Sequence, residues 1–250
     1  MWRMYIRMVN TLMKIDFKYQ NVLITGGTRG IGQQIAQDMA TLGASVTITG
    51  TKKRYESNGI KCIPVNFLDN ASTENFIKEI SEQTFDVCVN NAGINKIDPF
   101  CEVKEQDWND IMKVNLTAPF LIQQAVCKNM LKQGYGKIVN ISSIWGTVSI
   151  PHRASYSASK FGLRGLTMAS AAELAQYNIL INTVSPGFTL TDLTKQILGE
   201  QGIEDLTKQI PMRRMAEVEE ISRVVLFMCS KLNTYISGQN IIVDGGFVNV

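Results

Sequence analysis

Tyr156 and Lys160 stand four residues apart in Ser155-Tyr156-Ser157-Ala158-Ser159-Lys160, and Ser143 lies thirteen residues before the tyrosine. Residues at i and i+4 share one face of a helix, so a Lys160 ammonium can lie beside the Tyr156 hydroxyl and stabilise its phenolate. A tyrosine with an ordinary pKa of ~10 is a poor base at neutral pH, and a nearby cation that lowers it by a few units makes it a usable proton donor and acceptor. A serine hydroxyl beside that pair would hold the oxygen of a carbonyl or an alcohol. The trio outlines a site for carbonyl reduction. A Tyr-x-x-x-Lys pair also arises on ordinary solvated helices, so its weight comes from what lies upstream.

Upstream, Asn21-Val22-Leu23-Ile24-Thr25 reads as a buried strand that runs into Gly26-Gly27-Thr28-Arg29-Gly30-Ile31-Gly32, followed by a helical pattern from Gln33 to Leu42. Strand, glycine turn and helix in this order bring backbone N–H groups and a helix N-terminus to one point, where the dipole favours the diphosphate of a dinucleotide. A bare glycine pattern is weak, but here the flanking elements that the fingerprint demands are present on both sides. The spacing is Gly26-x-x-x-Gly30-x-Gly32, unlike the G-x-G-x-x-G of many dinucleotide-binding chains.

With these residues in view, the chain resembles the short-chain dehydrogenase/reductase family, whose compact members carry TGxxxGIG, NNAG, an Asn-Ser-Tyr-Lys tetrad and a PG motif in that order. Thr25 to Gly32 matches the first motif and Asn90-Asn91-Ala92-Gly93 the second; Asn115, Ser143, Tyr156 and Lys160 match the tetrad, and Pro186-Gly187 the last. The resemblance runs from about Asn21 to the C-terminus. It implies that Tyr156 supplies the proton, Lys160 tunes it and binds the nucleotide ribose, Ser143 orients the substrate oxygen, and Asn115 distorts its helix and supports a proton relay through water. Ser142 competes with Ser143, and the family's thirteen-residue gap to the tyrosine selects Ser143. Thr189 and Thr191, after Pro186-Gly187, match the segment that wraps the nicotinamide amide. Within the family the chain looks most like 3-oxoacyl-carrier-protein reductases, including Ile210-Pro211-Met212-Arg213-Arg214 and Asp244-Gly245-Gly246, segments shared with sugar and polyol dehydrogenases. Some carrier-protein reductases dock their acidic partner through arginines at two helix ends. Gly134 and Tyr177 stand near the corresponding places here, which favours keeping a sugar, polyol or other secondary alcohol as the alternative substrate. A non-catalytic NADP(H)-binding sensor is the remote alternative, and the intact tetrad argues against it.

Composition bounds the reading. At 250 residues and 45% apolar, with a net charge of +3, the chain can bury one sizeable core, and its charge is too small and dispersed to argue for nucleic acid. Cys62, Cys88, Cys101, Cys127 and Cys229 are scattered, odd in number and without a C-x-x-C pair, which disfavours disulfides and a zinc site. No apolar run approaches the ~18 residues of a membrane span, so the expected setting is cytoplasmic, with no membrane partner.

Strand patterns recur at Val22-Thr25, Ser45-Thr49, Cys62-Pro64, Val87-Asn90, Lys137-Ile141, Ile179-Val184 and Asn240-Val243, with helical patterns between most of them. The alternation predicts an α/β chain: a single Rossmann-type, doubly wound parallel sheet flanked by helices, over residues 21–250. Its ligand crevice lies at the C-terminal strand ends, where Gly26, Thr51, Asn91, Ser143 and Pro186 fall. NAD-selecting enzymes usually place an acid after the second strand. Here Gly50 is followed by Thr51, Lys52, Lys53 and Arg54, with Arg29 in the glycine turn, and cations without a carboxylate suit the 2′-phosphate of NADP(H). The connection from Lys52 to Lys61 is too short for the usual crossover, which predicts a clipped or missing helix with a turn at Ser57-Asn58-Gly59 and a more open adenine side. Asn66, Phe67 and Asp69 follow the third strand, where the family contacts adenine.

Three segments are read for themselves. Lys104 to Gln133 is helical with an interruption near Thr117-Ala118-Pro119, and Leu193 to Pro211 is expected to be a lid or mobile loop over the substrate. His152 reads as a solvated loop residue in reach of a substrate, and Trp145 either lines the pocket or packs its loop. Residues 1–20 form an N-terminal extension with three readings: a targeting helix, a packing extension, or a lead made short by translation from Met13, which is preferred. The apolar helices of Asn115 to Met130 and Tyr156 to Leu174 are expected to pack against partner subunits, since the family commonly forms homodimers or homotetramers.

Overall fold

A computed structural model describes residues 14–51 and 53–250. The preferred start at Met13 and the expected 2′-phosphate ligand Lys52 lie outside the described residues. Eight strands form one sheet in the order β3-β4-β2-β1-β5-β6-β7-β8. They are β1 (Asn21–Ile24), β2 (Ser45–Gly50), β3 (Tyr55–Ser57), β4 (Ile60–Pro64), β5 (Val87–Asn90), β6 (Gly136–Ile141), β7 (Ile179–Pro186) and β8 (Asn240–Val243). Every pairing is parallel except that of β3 with β4.

Alternation along the strands builds two cores. Val22 and Ile24 of β1, with Val87 and Val89 of β5, face helices α1 (Gly30–Thr41) and α7 (Val218–Cys229). Leu23 and Cys88, one residue out of phase, face α2 (Asn70–Ser81) and the long helical run that continues beyond β5. Phe17, inside the expected N-terminal extension, is fully buried in the first core, and its N–H donates to the Leu42 carbonyl at 3.0 Å.

The short connection has no helix among its described residues, the missing-helix outcome expected from its length, and its turn falls within the expected Ser57-Asn58-Gly59. It contains a strand, β3, which crosses outside β4 and returns antiparallel to it, pairing Ser57 with Ile60 and Glu56 with Lys61. The loop between them is Asn58-Gly59, with φ of 52° and 74°, the paired left-handed angles of a tight hairpin. A chain that comes back as a strand needs no crossover helix. A cleft of about 500 Å³ remains between α1 and this hairpin, lined by Thr28, Gln33, Ala36, Ile48, Tyr55 and Ile60, beside the glycine turn.

The run after β5 is α3 (Glu105–Met112), a π-helical turn (Lys113–Thr117) and α4 (Ala118–Gln133). The interruption thus falls slightly earlier than expected and centres on Asn115. Pro119 explains it: proline has no N–H to give the carbonyl four residues back, which is that of Asn115, and the ladder shifts so that the Ala118 N–H bonds the Lys113 carbonyl. Helix α5 (Ala154–Leu174) follows β6. The expected loop from Leu193 is instead helical, α6 (Asp192–Thr207), broken at Gly199 where φ is 61° and ψ −179°.

Candidate active site

Ser143 follows β6 in extended backbone, and its Oγ accepts from the Trp145 N–H at 3.2 Å, which fixes the hydroxyl at the mouth of the crevice. Ser142 is used otherwise: its hydroxyl donates to the Lys160 carbonyl. Tyr156 and Lys160 stand one turn apart on α5. The Lys160 ammonium lies 5.6 Å from the Tyr156 ring centroid and donates to the Ile141 carbonyl at 2.8 Å. With 4% of the residue exposed, burial holds the lysine at a pKa of about 8.

Tyr156 departs from the expectation that Lys160 lowers its pKa. Burial pushes the phenol up, and the groups that draw it back are a hydrogen bond with Ser143 and the charge of Arg153. Arg153 is the residue that the sequence reading missed. It occupies the position just before α5 without a side-chain cap bond, is half-buried, and precedes Tyr156 by three, a spacing that puts the two on one helix face and was the available signal.

Asn115 is fully buried. Its amide bonds both backbone groups of Ile94, receiving the N–H at 2.9 Å and donating to the carbonyl at 2.9 Å, and donates to Ser159 Oγ at 3.1 Å. Ser159 in turn donates to the Tyr156 carbonyl. Asn115 therefore ties the loop after Asn91-Ala92-Gly93 to the helix bearing Tyr156 and Lys160. A Cβ added to Gly93 would sit 3.4 Å from Asn115 Oδ1 and 3.7 Å from Lys160 Nζ, which measures how closely these groups converge.

The other motifs surround this point. The N-terminus of α1 has no side-chain cap and no acid in its first turn, so the N–H groups of Gly30, Ile31 and Gly32 remain for an anion. Ile31 packs its side chain on the core and has only its backbone for a ligand. A Cβ at Gly32 would fall 2.3 Å from Asn91 Nδ2, and Asn91 donates from that atom to the carbonyls of Thr25 and Gly26. The Ala92 N–H donates to Thr25 Oγ1. Asn91 and Ala92 thus position the turn that would hold a diphosphate. On the other side, Gly187 is bonded to the Val243 carbonyl and Thr189 is buried, while Thr191 caps α6 and lies within 3.5 Å of where a Gly30 Cβ would be. The glycine turn and the segment of residues 187–191 thus meet where the dinucleotide is expected, and their free backbone groups suit its diphosphate.

At the adenosine end, a Cβ on Gly50 would lie 2.4 Å from Thr28 Cγ2, so Thr28 occupies the space where an acidic side chain would start. Arg29 and Thr51 are exposed. Arg54 is engaged: its guanidinium makes two bonds with Glu79, at 2.9 and 2.7 Å, and leaves the cation cluster read from the sequence. Phe67 buries its ring against Phe76 at 5.9 Å, leaving its backbone for adenine, and Asp69 caps α2. Asn66 is exposed, its Oδ1 accepting from the Leu68 N–H. Trp145 packs edge-on against Phe188 and Phe247, and His152 is an exposed loop residue with φ of 67°.

Comparison with known proteins identifies the family. The family described as enoyl-(acyl carrier protein) reductase matches residues 26–248. The 3-oxoacyl-(acyl-carrier-protein) reductase of Aquifex aeolicus is 40% identical over 247 residues, covering 94% of this chain and 99% of that protein. The chain belongs to the short-chain dehydrogenase/reductase family. The reductase of the same name from Escherichia coli is 35% identical over 94% of this chain and all of its own length. Among solved members, a gluconate 5-dehydrogenase from Burkholderia cenocepacia in complex with NADP and tartrate superimposes with a TM-score of 0.87 at 29% identity, over 96% of this chain and 99% of that one. A putative NAD(P)-dependent gluconate 5-dehydrogenase from Beutenbergia cavernae, with bound NADP, gives 0.87 at 28%, over 94% and 99%. As a short-chain dehydrogenase/reductase the chain is an oxidoreductase, and no helix among its described residues is long and apolar enough to cross a membrane.

Proposed function

We propose that this short-chain dehydrogenase/reductase is a cytoplasmic NADP(H)-dependent enzyme that interconverts a carbonyl and a secondary alcohol. The observation that carries the reading is the approach of Asn115 and Lys160 to Gly93, next to Asn91 and Ala92, which hold the glycine turn, with Ser143 beside Tyr156 on the same helix as Lys160. The nucleotide, when bound, supplies or takes up the hydride at the carbonyl carbon. Tyr156 gives its proton to the substrate oxygen, which Ser143 holds by hydrogen bond, and the Arg153 charge favours the resulting phenolate while Lys160 serves the nucleotide ribose. Asn115 keeps the two sides of the crevice in register. For the nucleotide, the diphosphate falls to the α1 N-terminus, and Arg29, Thr51 and Lys52 serve the 2′-phosphate at a strand end where Thr28 bars an acid.

Two substrate classes remain in play. Sequence similarity favours a 3-oxoacyl thioester on a carrier protein, as the names of the relatives suggest. The uncharged Gly134 and Tyr177 at the two helix ends, and the likeness to gluconate dehydrogenases, favour a sugar acid or polyol. The outer faces of α4 and α5 carry exposed Phe120, Phe161 and Met168, which suits the assembly of a homodimer or homotetramer.

The deciding experiment compares NADPH with NADH binding, then follows nucleotide oxidation with acetoacetyl thioester and a panel of keto sugars. NADPH preference and turnover that Tyr156→Phe abolishes support the reading. Binding without turnover of any carbonyl points to a sensor, and NADH preference overturns the account of the adenosine end.

A further inference from the structure

Within that reading of a carbonyl-reducing site, we infer that Arg153 selects substrates carrying an anionic oxygen group, carboxylate or phosphate, a few bonds from the reacting carbonyl. The argument begins with its position. Arg153 stands at the N-terminal boundary position of α5, three residues before Tyr156, where its charge favours the ionised form of that phenol. A substrate oxygen held by Tyr156 and Ser143 therefore brings neighbouring groups within reach of a long arginine side chain.

Its partners, or lack of them, are the second observation. Arg54 and Arg214 are paired in bidentate fashion with Glu79 and Glu220. Among the described residues, Arg153 has no carboxylate within 4.0 Å and its guanidinium makes no hydrogen bond, although the residue is half-buried. Burial costs it, drawing its pKa below the ordinary value. A partly desolvated guanidinium with a free planar fork is poised for a carboxylate or phosphate, which it can grip with two parallel bonds. The other cation near Tyr156, Lys160, is committed to the Ile141 carbonyl. A carrier-bound thioester presents no anion near its carbonyl, so the inference divides the two substrate classes in favour of an acid.

The test uses matched probes on the NADPH-loaded protein: 4-oxopentanoate and 3-oxobutanoate against their methyl esters, for the native chain, Arg153→Gln and Arg153→Lys. Calorimetric titration of 4-oxopentanoate into the NADP⁺-loaded protein gives a readout independent of turnover. The native enzyme should favour each acid over its ester by at least ~10-fold in kcat/KM, chiefly through KM, as expected for a charge-assisted bond. Arg153→Gln should bring that ratio close to one and weaken acid binding by about 10- to 100-fold, and Arg153→Lys should restore part of both. Equal losses for acid and ester, or a native enzyme indifferent to the acid, would overturn the inference while leaving carbonyl reduction in place. No turnover of any probe by a nucleotide-bound native chain would overturn the carbonyl-reducing reading and the inference with it.

Discussion

The Lys160 ammonium donates to the Ile141 carbonyl at 2.8 Å from a position where burial has lowered its pKa to about 8. Below that pH the lysine is charged in both folded and unfolded chains, and the folded state bears the full cost of burying the charge. Between about 8 and the ordinary 10.5 the folded lysine is neutral while the unfolded one still binds its proton, so this group's contribution to stability rises with pH. Over that window the native protein should gain ~3 kcal/mol relative to Lys160→Met, read from denaturant midpoints at successive pH values. A difference that stays flat would mean that the lysine is solvated. Turnover that depends on the ammonium should fall over the same range.

Pro119 offers a way to test the distorted helix without touching a polar side chain. Pro119→Ala returns an N–H to the Asn115 carbonyl and should let the π-helical turn relax towards α-helix, with a stability change of under about 3 kcal/mol in either direction. Because Asn115 would rotate away from Ile94 and Ser159, kcat should fall ~10-fold or more with nucleotide binding little changed. Kinetics and a nucleotide titration separate these, and an unaltered kcat would show that the turn is incidental.

Nucleotide preference should resist the simplest redesign. Gly50→Asp alone sets its Cβ against Thr28 Cγ2 at 2.4 Å, so the variant should lose stability and bind both nucleotides poorly. Gly50→Asp with Thr28→Gly opens that space and should shift the NADPH-to-NADH affinity ratio towards NADH by at least ~10-fold. Titration of each variant with both nucleotides decides it.

The hairpin at the sheet edge gives a local stability prediction. Gly59 has a φ of 74° and nothing within 4 Å of an added Cβ, so Gly59→Ala meets no clash and registers only backbone strain. The expected loss is about 1 kcal/mol, seen in thermal or denaturant unfolding, with turnover preserved.

How far each feature could be read from sequence follows from whether its cause is local. The glycine turn, the parallel strands and the Tyr156-Lys160 pair are set by residues adjacent in the chain, and all were visible. Strand β3 was not, because Tyr55, Glu56 and Ser57 are all exposed and carry no apolar alternation, although the Asn58-Gly59 turn beside them was visible. Helix α6 looked like a loop because Gly199 divides its pattern. Arg54 looked like a phosphate ligand because Glu79, twenty-five residues on, cannot be matched to it without the fold. Arg153 was overlooked because a lone charge in a loop usually faces water.

The edge-on packing of Trp145 against Phe188 and Phe247 gives this protein a built-in optical gauge. The indole sits two residues from Ser143 and touches the segment between Gly187 and Thr191, whereas Trp108 is 39% exposed. Emission from Trp145 should be blue-shifted, and a reduced nicotinamide nearby should accept its excitation, so loading and departure of the nucleotide can be timed in stopped flow with no label attached.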